Sequence, residues 1–396
     1  MQISYAGFTG LHTSEQAHRL VYLASMPYET PSGHQELREN FAELTPRNAI
    51  NDRERYSRQV LFAPIGEHGQ QRLARGHVAI VGVGAIGAAT ASLLARAGVG
   101  RLTLIDRDYV EPSNLQRQVL FDEDDARECL PKAEAARRHL TRVNSGVHVD
   151  AQIADLTPRT AETLIGNADI VLDCTDNFET RYLINDLCVH DGRPWIYAAA
   201  VGAYAATMNI LPRPANSNAP FEPTACLACL FPASPTGNVE TCDTAGILSA
   251  AVNFAASLQV TETLKLLTGQ PQSLRRTLLA YDLWTGERSE VTACTPRVDC
   301  EVCGQRRFRA LAGEGRAPIT LCGRNAVQIH ERARPIDLAA LAHRLEPLGE
   351  VRANGLLLRF RTPPYTITVF PDGRALIQGT TEVGRARSLY ARYIGA

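Results

Sequence analysis

Residues 78–87 read Val78-Ala79-Ile80-Val81-Gly82-Val83-Gly84-Ala85-Ile86-Gly87. The first four are an apolar strand, and Ala88–Ala97 behind them is a helix of small residues stopped by Gly98. A second strand, Leu102–Ile105, delivers Asp106. Glycines in the pattern Gly82-x-Gly84-x-x-Gly87 permit a tight turn and let backbone amides approach phosphate at the positive end of a helix. An acidic residue about 20 positions on can bind ribose hydroxyls. Strand, glycine loop, helix and acid in this order predict a nucleotide site made by Gly82, Gly84, Gly87 and Asp106.

The chain then runs Asp106-Arg107-Asp108-Tyr109-Val110-Glu111-Pro112-Ser113-Asn114-Leu115-Gln116-Arg117-Gln118, and Pro131-Lys132 opens another helix. A dehydrogenase has no need for this polar string. An enzyme that makes a carboxylate attack the α-phosphate of ATP does, because two anions must meet and pyrophosphate must leave. Unit charges about 4 Å apart repel by about 4 kcal/mol at an effective dielectric near 20. Fixed cations and a metal must offset that repulsion. Arg117 and Lys132 are the candidate cations and Asn114 and Gln118 the neutral donors; the bland alternative makes both cations solvated surface charges.

Ser113-Asn114-Leu115-Gln116-Arg117-Gln118, with Arg55-Tyr56-Ser57-Arg58-Gln59 upstream and Asp173-Cys174-Thr175-Asp176-Asn177 downstream, resembles the ThiF/MoeB/HesA family. Members are ubiquitin-activating-type enzymes that adenylate the C-terminal glycine of small sulfur-carrier proteins. The likeness spans roughly Asn51 to Phe308 and extends more weakly to the C-terminal segment, as in ThiF-type enzymes with an extension. It implies that Arg58 reaches the triphosphate of the neighbouring subunit in a homodimer, and that Ser113 and Asn114 orient phosphates. From residue types alone Arg55 and Arg58 would be a solvated helix face. Ala85 departs from the second consecutive glycine of many relatives, which tightens the loop without changing the reading.

At 396 residues the chain has room for two domains, at about 100–200 residues each. Its 45% hydrophobic and 21% charged content is that of a soluble globular protein, and a net charge of -1 gives no reason to expect nucleic acid or anionic membrane as partner. Met1–Ala24 lacks the basic region and apolar core of a secretory signal. Ala245–Leu267, the most apolar later stretch, is interrupted by Ser249, Asn253, Gln259 and Glu262 and reads as a buried helix rather than a membrane span. Ten cysteines, four of them in two C-x-x-C pairs, point to metal and thiol chemistry in a reducing cytoplasm.

Residues 1–50 carry no family motif and read as an extension, with a short helix over Ser14–Ala24 and a loop over Pro27–Gly33. Residues 51–310 read as the ATP-binding domain, a doubly wound Rossmann-like α/β sheet, and 318–396 as a small α+β domain suited to docking a carrier or partner. Lys132–Val143 is an amphipathic helix, Val147–Ile153 a strand, Pro158 a helix start, and Ala168–Cys174 a continuous apolar strand. Asp176, just past that strand's carboxyl end, suits Mg²⁺, which favours one or two carboxylates plus phosphate oxygens. Its alternative role is N-cap of the helix near Phe178, and Asp173 reads as structural.

A proline-rich loop over Leu211–Cys242 contains Cys226-x-x-Cys229, answered by Cys300-x-x-Cys303 about 70 residues later. Four such thiolates are the donor set of a closed Zn²⁺ site; a redox pair would leave the second C-x-x-C unexplained. Cys242 stands ahead of a long helix expected from Ala245, where a thiol tends towards thiolate, and the resemblance implies that a cysteine here handles sulfur or thioester chemistry after adenylation. Cys129, Cys174, Cys188, Cys294 and Cys322 read as small buried hydrophobes.

The leading function is ATP-dependent adenylation of a ubiquitin-like carrier ending in Gly-Gly, thiamine or molybdopterin type, with a sulfur donor protein as a further partner. The alternatives are activation for conjugation or peptide modification, an NAD-dependent oxidoreductase, and a zinc-stabilised scaffold without activity.

Overall fold

The computed structural model describes residues 51–213, 221–232, 242–314, 320–321, 325–329 and 335–395. The expectations for 1–50 and for Cys322 lie outside these. Eight strands form the first sheet: β1 (His77–Val81), β2 (Arg101–Ile105), β3 (His148–Gln152), β4 (Ile170–Asp173), β5 (Trp195–Val201), β6 (Tyr204–Ile210), β7 (Thr277–Asp282) and β8 (Arg288–Thr292). Their order is β3-β2-β1-β4-β5-β6-β7-β8. The first five run parallel, with Val81 opposite Ile105 and Asp173, and β6, β7 and β8 are antiparallel. The result is a mixed Rossmann-like sheet: the parallel half was expected, whereas β7 and β8 were not. β8 carries Arg288, Ser289 and Glu290 and is exposed throughout, so it has no apolar alternation to read.

Continuous apolar strands need cover on both faces. On one face, α1 (Ala85–Ala97), α2 (Lys132–Val143) and part of α4 (Ser249–Thr268) bury Ala88, Ala91, Leu94, Ala136, Leu140, Val252 and Ala255 against Val78 and Ile80. On the other, α3 (Phe178–Asp191) buries Leu183, Ile184 and Leu187 against Ala79, Val81 and Val171. Gly98 closes α1 with φ +80, a left-handed C-cap. The long helix starts at Ser249 rather than near Ala245, because Gly246 (φ +74) separates it from a one-turn helix, Cys242–Ala245. Likewise Pro158 does not open a helix: Thr160 Oγ1 accepts the Thr157 N–H at 2.9 Å, and the helix begins at Ala161. Among the described residues no helix is long and apolar enough to cross a membrane.

Beyond residue 319 a second, antiparallel sheet is built from β9 (Thr320–Leu321), β10 (Ala326–Ile329), β11 (Glu350–Ala353), β12 (Leu358–Thr362), β13 (Tyr365–Val369) and β14 (Ala375–Gln378), in the order β11-β12-β13-β14-β10-β9. β11 was not anticipated, since Glu350, Arg352 and Ala353 face solvent on an edge strand. Helices α5 (Leu338–Leu345) and α6 (Val383–Tyr393) cover one face through Leu341, Leu345, Phe360, Ile367, Ile377 and Leu389. The other face meets the segment that follows β2: Ala326, Leu357, Phe370 and Leu376 pack with Tyr109 and Cys129.

Buried Asp186 of α3 accepts the Ala310 and Leu311 N–H groups at 2.8 and 3.3 Å, and burial pushes its pKa up to about 6. A carboxyl whose folded pKa lies above its unfolded value holds its proton more tightly when folded, so stability falls as pH rises from about 4 to about 6. Asp186→Asn keeps an acceptor oxygen and removes that loss. The expected outcome is stabilisation by about 1–3 kcal/mol at pH 7, vanishing below about pH 4. Urea titrations at both pH values check it.

Candidate active site

The loop after β1 is held by close backbone approach. A Cβ at Gly87 would lie 1.9 Å from the Gly82 carbonyl oxygen, and one at Gly82 would lie 2.7 Å from that of Cys174. Gly82 also has φ +86, which only glycine adopts at little cost. A Cβ at Gly84, the residue before α1, would meet only Gln118 Nε2, at 3.9 Å, among the described residues.

Asp106 is buried at the end of β2, where its Oδ2 accepts the Val83 N–H at 2.6 Å and its Oδ1 the Asp108 N–H at 2.7 Å. The acid expected to meet ribose therefore also clamps the glycine loop. Burial raises its pKa, and Lys132 opposes that rise. Lys132 is 3% exposed, at the first position of α2, with Nζ 3.3 Å from Asp108 Oδ2. It is a buried cation and not a solvated one. Arg107 points into the same ground. Burial works against its charge, and Asp155, Asp108, Asp176 and Asp106 outweigh that effect and raise its pKa.

Asn114 ends a 3-10 turn, Pro112–Asn114, and its buried Oδ1 accepts the Glu111 N–H at 3.0 Å. Ser113 is exposed on that turn, and Arg117 is half-buried, folding Nη1 back onto the Ser113 carbonyl at 2.7 Å. Gln118 is 3% exposed, and its Oε1 is buried without a hydrogen-bond partner among the described residues. A buried acceptor oxygen of this kind beside Gly84 suits a ligand that donates a hydrogen bond.

Asp176 is exposed beyond β4, and it is not the N-cap of α3. Asn177 fills that place, its Oδ1 accepting the Thr180 N–H at 2.9 Å. The structural reading of Asp173 is borne out: its Oδ2 meets Arg181 Nε at 3.1 Å, and both are buried. Arg58 is exposed on the one-turn helix Ser57–Val60 and forms no side-chain hydrogen bond or ion pair with a described residue.

The four paired cysteines do converge. Sγ separations are 3.8 Å for Cys226–Cys229, 3.6 Å for Cys226–Cys300 and 3.3 Å for Cys229–Cys303, and all four lie within 4.8 Å of one another. Sulfurs placed tetrahedrally at about 2.3 Å from one ion stand about 3.8 Å apart, so the donor set fits Zn²⁺. Hydrogen bonds among them push the Cys226 thiol far up and pull Cys229 far down. Cys129, Cys174 and Cys188 are buried as expected, but Cys294 is half-exposed, its thiol facing the Arg276 carbonyl at 3.5 Å. The side chain of Cys242 is outside the described set.

Sequence reasoning missed Arg107, although it adjoins Asp106, and also Asp155, which pairs with Arg107 at 3.2 Å. It missed Arg374 too, whose Nη1 donates to the Arg107 carbonyl at 2.8 Å from more than 200 residues away. No local pattern signals such a contact.

The ThiF family model matches residues 56–302. The sulfur carrier protein ThiS adenylyltransferase of Bacillus subtilis is 46% identical over 345 residues, covering 86% of this chain and 99% of that protein. The Escherichia coli protein of the same name is 38% identical over 261 residues, covering 64% of this chain and 97% of that one. A crystal structure of E. coli MccB with ATP superposes with a TM-score of 0.53 at 26% identity, over 65% of this chain and 76% of that one. With a glycine loop, a clamped acid and a buried lysine inside the matched span, this chain belongs to the ThiF family.

Proposed function

We propose that the protein uses ATP to adenylate the C-terminal glycine of a small ubiquitin-like sulfur carrier ending in Gly-Gly, of thiamine or molybdopterin type. The observation that carries this reading is the 46% identity to a ThiS adenylyltransferase across 99% of that relative. The alternative, activation for conjugation or peptide modification, has less support, since the match to MccB, a microcin C7 biosynthetic enzyme, is at 26% identity and covers 65% of this chain. In the reaction a carrier carboxylate oxygen attacks the α-phosphorus, an O–P bond forms, the bond to the bridging oxygen breaks, and pyrophosphate leaves with the electron pair.

The backbone amides at Gly84 and Gly87 receive phosphate oxygens, Gly82 shaping the turn with its own N–H held by the Ile105 carbonyl at 2.9 Å, and Asp106 uses its remaining lone pairs for ribose hydroxyls. Lys132, desolvated and already paired with Asp108, presents its charge to the transferring phosphate, with Arg117, Ser113, Asn114 and Gln118 along the rim. Mg²⁺, when bound, would offset phosphate charge. Asp176 fits as its ligand because it is an exposed carboxylate freed from capping by Asn177. Arg58 supplies a guanidinium to the site of the other subunit in a homodimer. Cys242 takes part in sulfur or thioester chemistry after adenylation, with a sulfur donor protein as second partner. We assign Zn²⁺ to Cys226, Cys229, Cys300 and Cys303 as a structural ion, and a cytoplasmic setting to the whole. The chain divides into an extension (1–50), an adenylation domain (51–310) and a C-terminal domain (318–396).

Asp176→Asn is expected to fold normally and to lose at least about 100-fold in carrier-dependent ATP–pyrophosphate exchange, as removal of one transition-state charge contact commonly does. Near wild-type exchange in the folded variant removes Asp176 from the site. Mixed with an Arg58→Ala homodimer, it should recover exchange. Each heterodimer then holds one site with an intact Asp176 and an arginine donated across the two-fold. Activity that stays at the level of the separate variants after confirmed subunit exchange places Arg58 in its own chain.

Metal analysis should find one zinc per chain, and chelation should lower the melting midpoint, because four thiolates tie the 226–229 and 300–303 segments together. Cys242→Ala should keep pyrophosphate exchange and lose carrier thiocarboxylate or thioester formation, since attack on the α-phosphorus needs no thiol. A variant normal in both assays makes Cys242 structural.

A further inference from the structure

We infer that Arg374, carried on a hairpin tip of the second sheet, is a positioning residue for the nucleotide site, and that the C-terminal sheet is therefore a working part of that site. This rests on the ATP reading above and goes beyond it, because Arg374 lies outside the 56–302 span that the family describes.

The hairpin is built to deliver this side chain. Between β13 and β14 the chain turns at Pro371-Asp372-Gly373, with the Phe370 N–H on the Arg374 carbonyl at 2.9 Å and Gly373 at φ +85. Asp372 Oδ1 accepts the Arg374 N–H at 3.0 Å, and Tyr390 of α6 anchors the tip by donating to the Gly373 carbonyl at 2.8 Å. The guanidinium lies 3.8 Å from the centroid of the Phe370 ring. It is 1% exposed, and burying a cation this deeply is costly unless its surroundings carry compensating charge. Asp372, Asp155 and Asp108 offset part of that cost, and burial still holds its pKa below the ordinary arginine range; Nε and Nη2 are buried without a hydrogen-bond partner among the described residues, so Nη1 carries the contact.

What Arg374 holds is the peptide between Arg107 and Asp108. Its Nη1 donates to the Arg107 carbonyl at 2.8 Å. The Asp108 N–H on the other side of that peptide donates to Asp106 Oδ1, and Asp106 Oδ2 receives Val83 N–H in the glycine loop. The Asp108 carboxylate meets Lys132 Nζ. One peptide plane thus orients both the acid assigned to ribose and the partner of the lysine assigned to phosphate, and a buried arginine from the second sheet fixes that plane. Gln328 of β10 reinforces the arrangement through Asp155 Oδ2 at 3.2 Å, and Asp155 in turn holds Arg107. A rotation of the 107–108 peptide would move Asp106 and Lys132 together, and misplacement by about 1 Å can cost about 100-fold in reactivity.

A contact that merely glued the second sheet on would affect stability but not ATP. Asn354 serves as the comparison, because its Nδ2 bridges the same two parts of the molecule by donating to the Glu128 carbonyl at 2.9 Å, without touching the 106–108 segment. Titration calorimetry of the full chain with ATP and Mg²⁺ gives the affinity, and pyrophosphate exchange gives the KM for ATP and for carrier separately. Arg374→Met is expected to weaken ATP binding and raise its KM about tenfold or more, with the carrier KM unchanged. Arg374→Lys retains one donor for the Arg107 carbonyl and should fall in between, at about threefold. Asn354→Ala should stay within about twofold of wild type for ATP even where it lowers the melting midpoint. Folded Arg374→Met with unaltered ATP affinity overturns the inference, as does an equal loss in Asn354→Ala. If Arg374→Met does not fold, Arg374→Lys decides: unchanged ATP affinity there rejects the role. A wild-type protein that binds no ATP overturns the reading of the site itself, whereas wild-type binding with indifferent Arg374 variants overturns only this inference.

Discussion

The Gly82 carbonyl occupies the place where residue 87 would carry a side chain, 1.9 Å from an added Cβ, and the arrangement of the site follows from that crossing. Helix α1 can start only where its first turn rests on the end of β1, so its free amides face the ground beyond the parallel strands. Ligands of open α/β sheets bind at that edge. The strand crossover brings β2 alongside β1 in register, and Asp106 then lies one residue past Ile105, within reach of Val83. One glycine contact and one carboxylate clamp set the loop before any ligand arrives.

Behind the loop the core is held by polar groups as well as by apolar area. Gln259, fully buried in the middle of α4, donates to the carbonyls of Asp173 and Ile196 at 3.0 and 2.9 Å and accepts from Thr90 and Cys174. It joins α1, the end of β4 and β5 at one point, so two neighbouring parallel strands share a common brace. The buried Asp173–Arg181 pair lies just beside it, its guanidinium also donating to the Thr175 carbonyl at 2.7 Å. Breaking such a pair by removing one member typically costs about 3–5 kcal/mol, since a charge is then left without a partner. Asp176 can stand exposed because the residues on either side of it are committed: Thr175 to Asp173, and Asn177 to the cap of α3.

Much of this was legible in the sequence, for identifiable reasons. The parallel strands are continuous apolar runs, Gly98 and the start of α2 at Lys132 are punctuation, and the C-x-x-C pairs state their own geometry. The strands missed, β8 and β11, are the exposed ones, where burial imposes no pattern. Two helix starts were misplaced by hydroxyl and glycine effects at Thr160 and Gly246, which act through backbone geometry and leave no periodicity. The cations Arg117 and Lys132 look alike in sequence, yet one folds onto its own turn while the other is buried against Asp108. Burial of a single charge is decided by what arrives from elsewhere in the chain, and the arrival here of β10 and β14 is not written near residue 107.

The same argument explains the density of charge around that residue. Asp106, Asp108 and Asp155 face Lys132, Arg107 and Arg374 in a region sheltered from water, where Coulomb terms are several times larger than at the surface. Three against three is balanced, but a nucleotide brings further negative charge, and only groups not already matched can meet it. Lys132 spends part of its charge on Asp108, and Arg107 lies in the field of four carboxylates. The cluster therefore serves as scaffold more than as binding charge. On the reading proposed above, what remains of the Lys132 charge is supplemented by the loop amides, by a metal at the exposed Asp176, and by the guanidinium groups outside the cluster, Arg117 and Arg58.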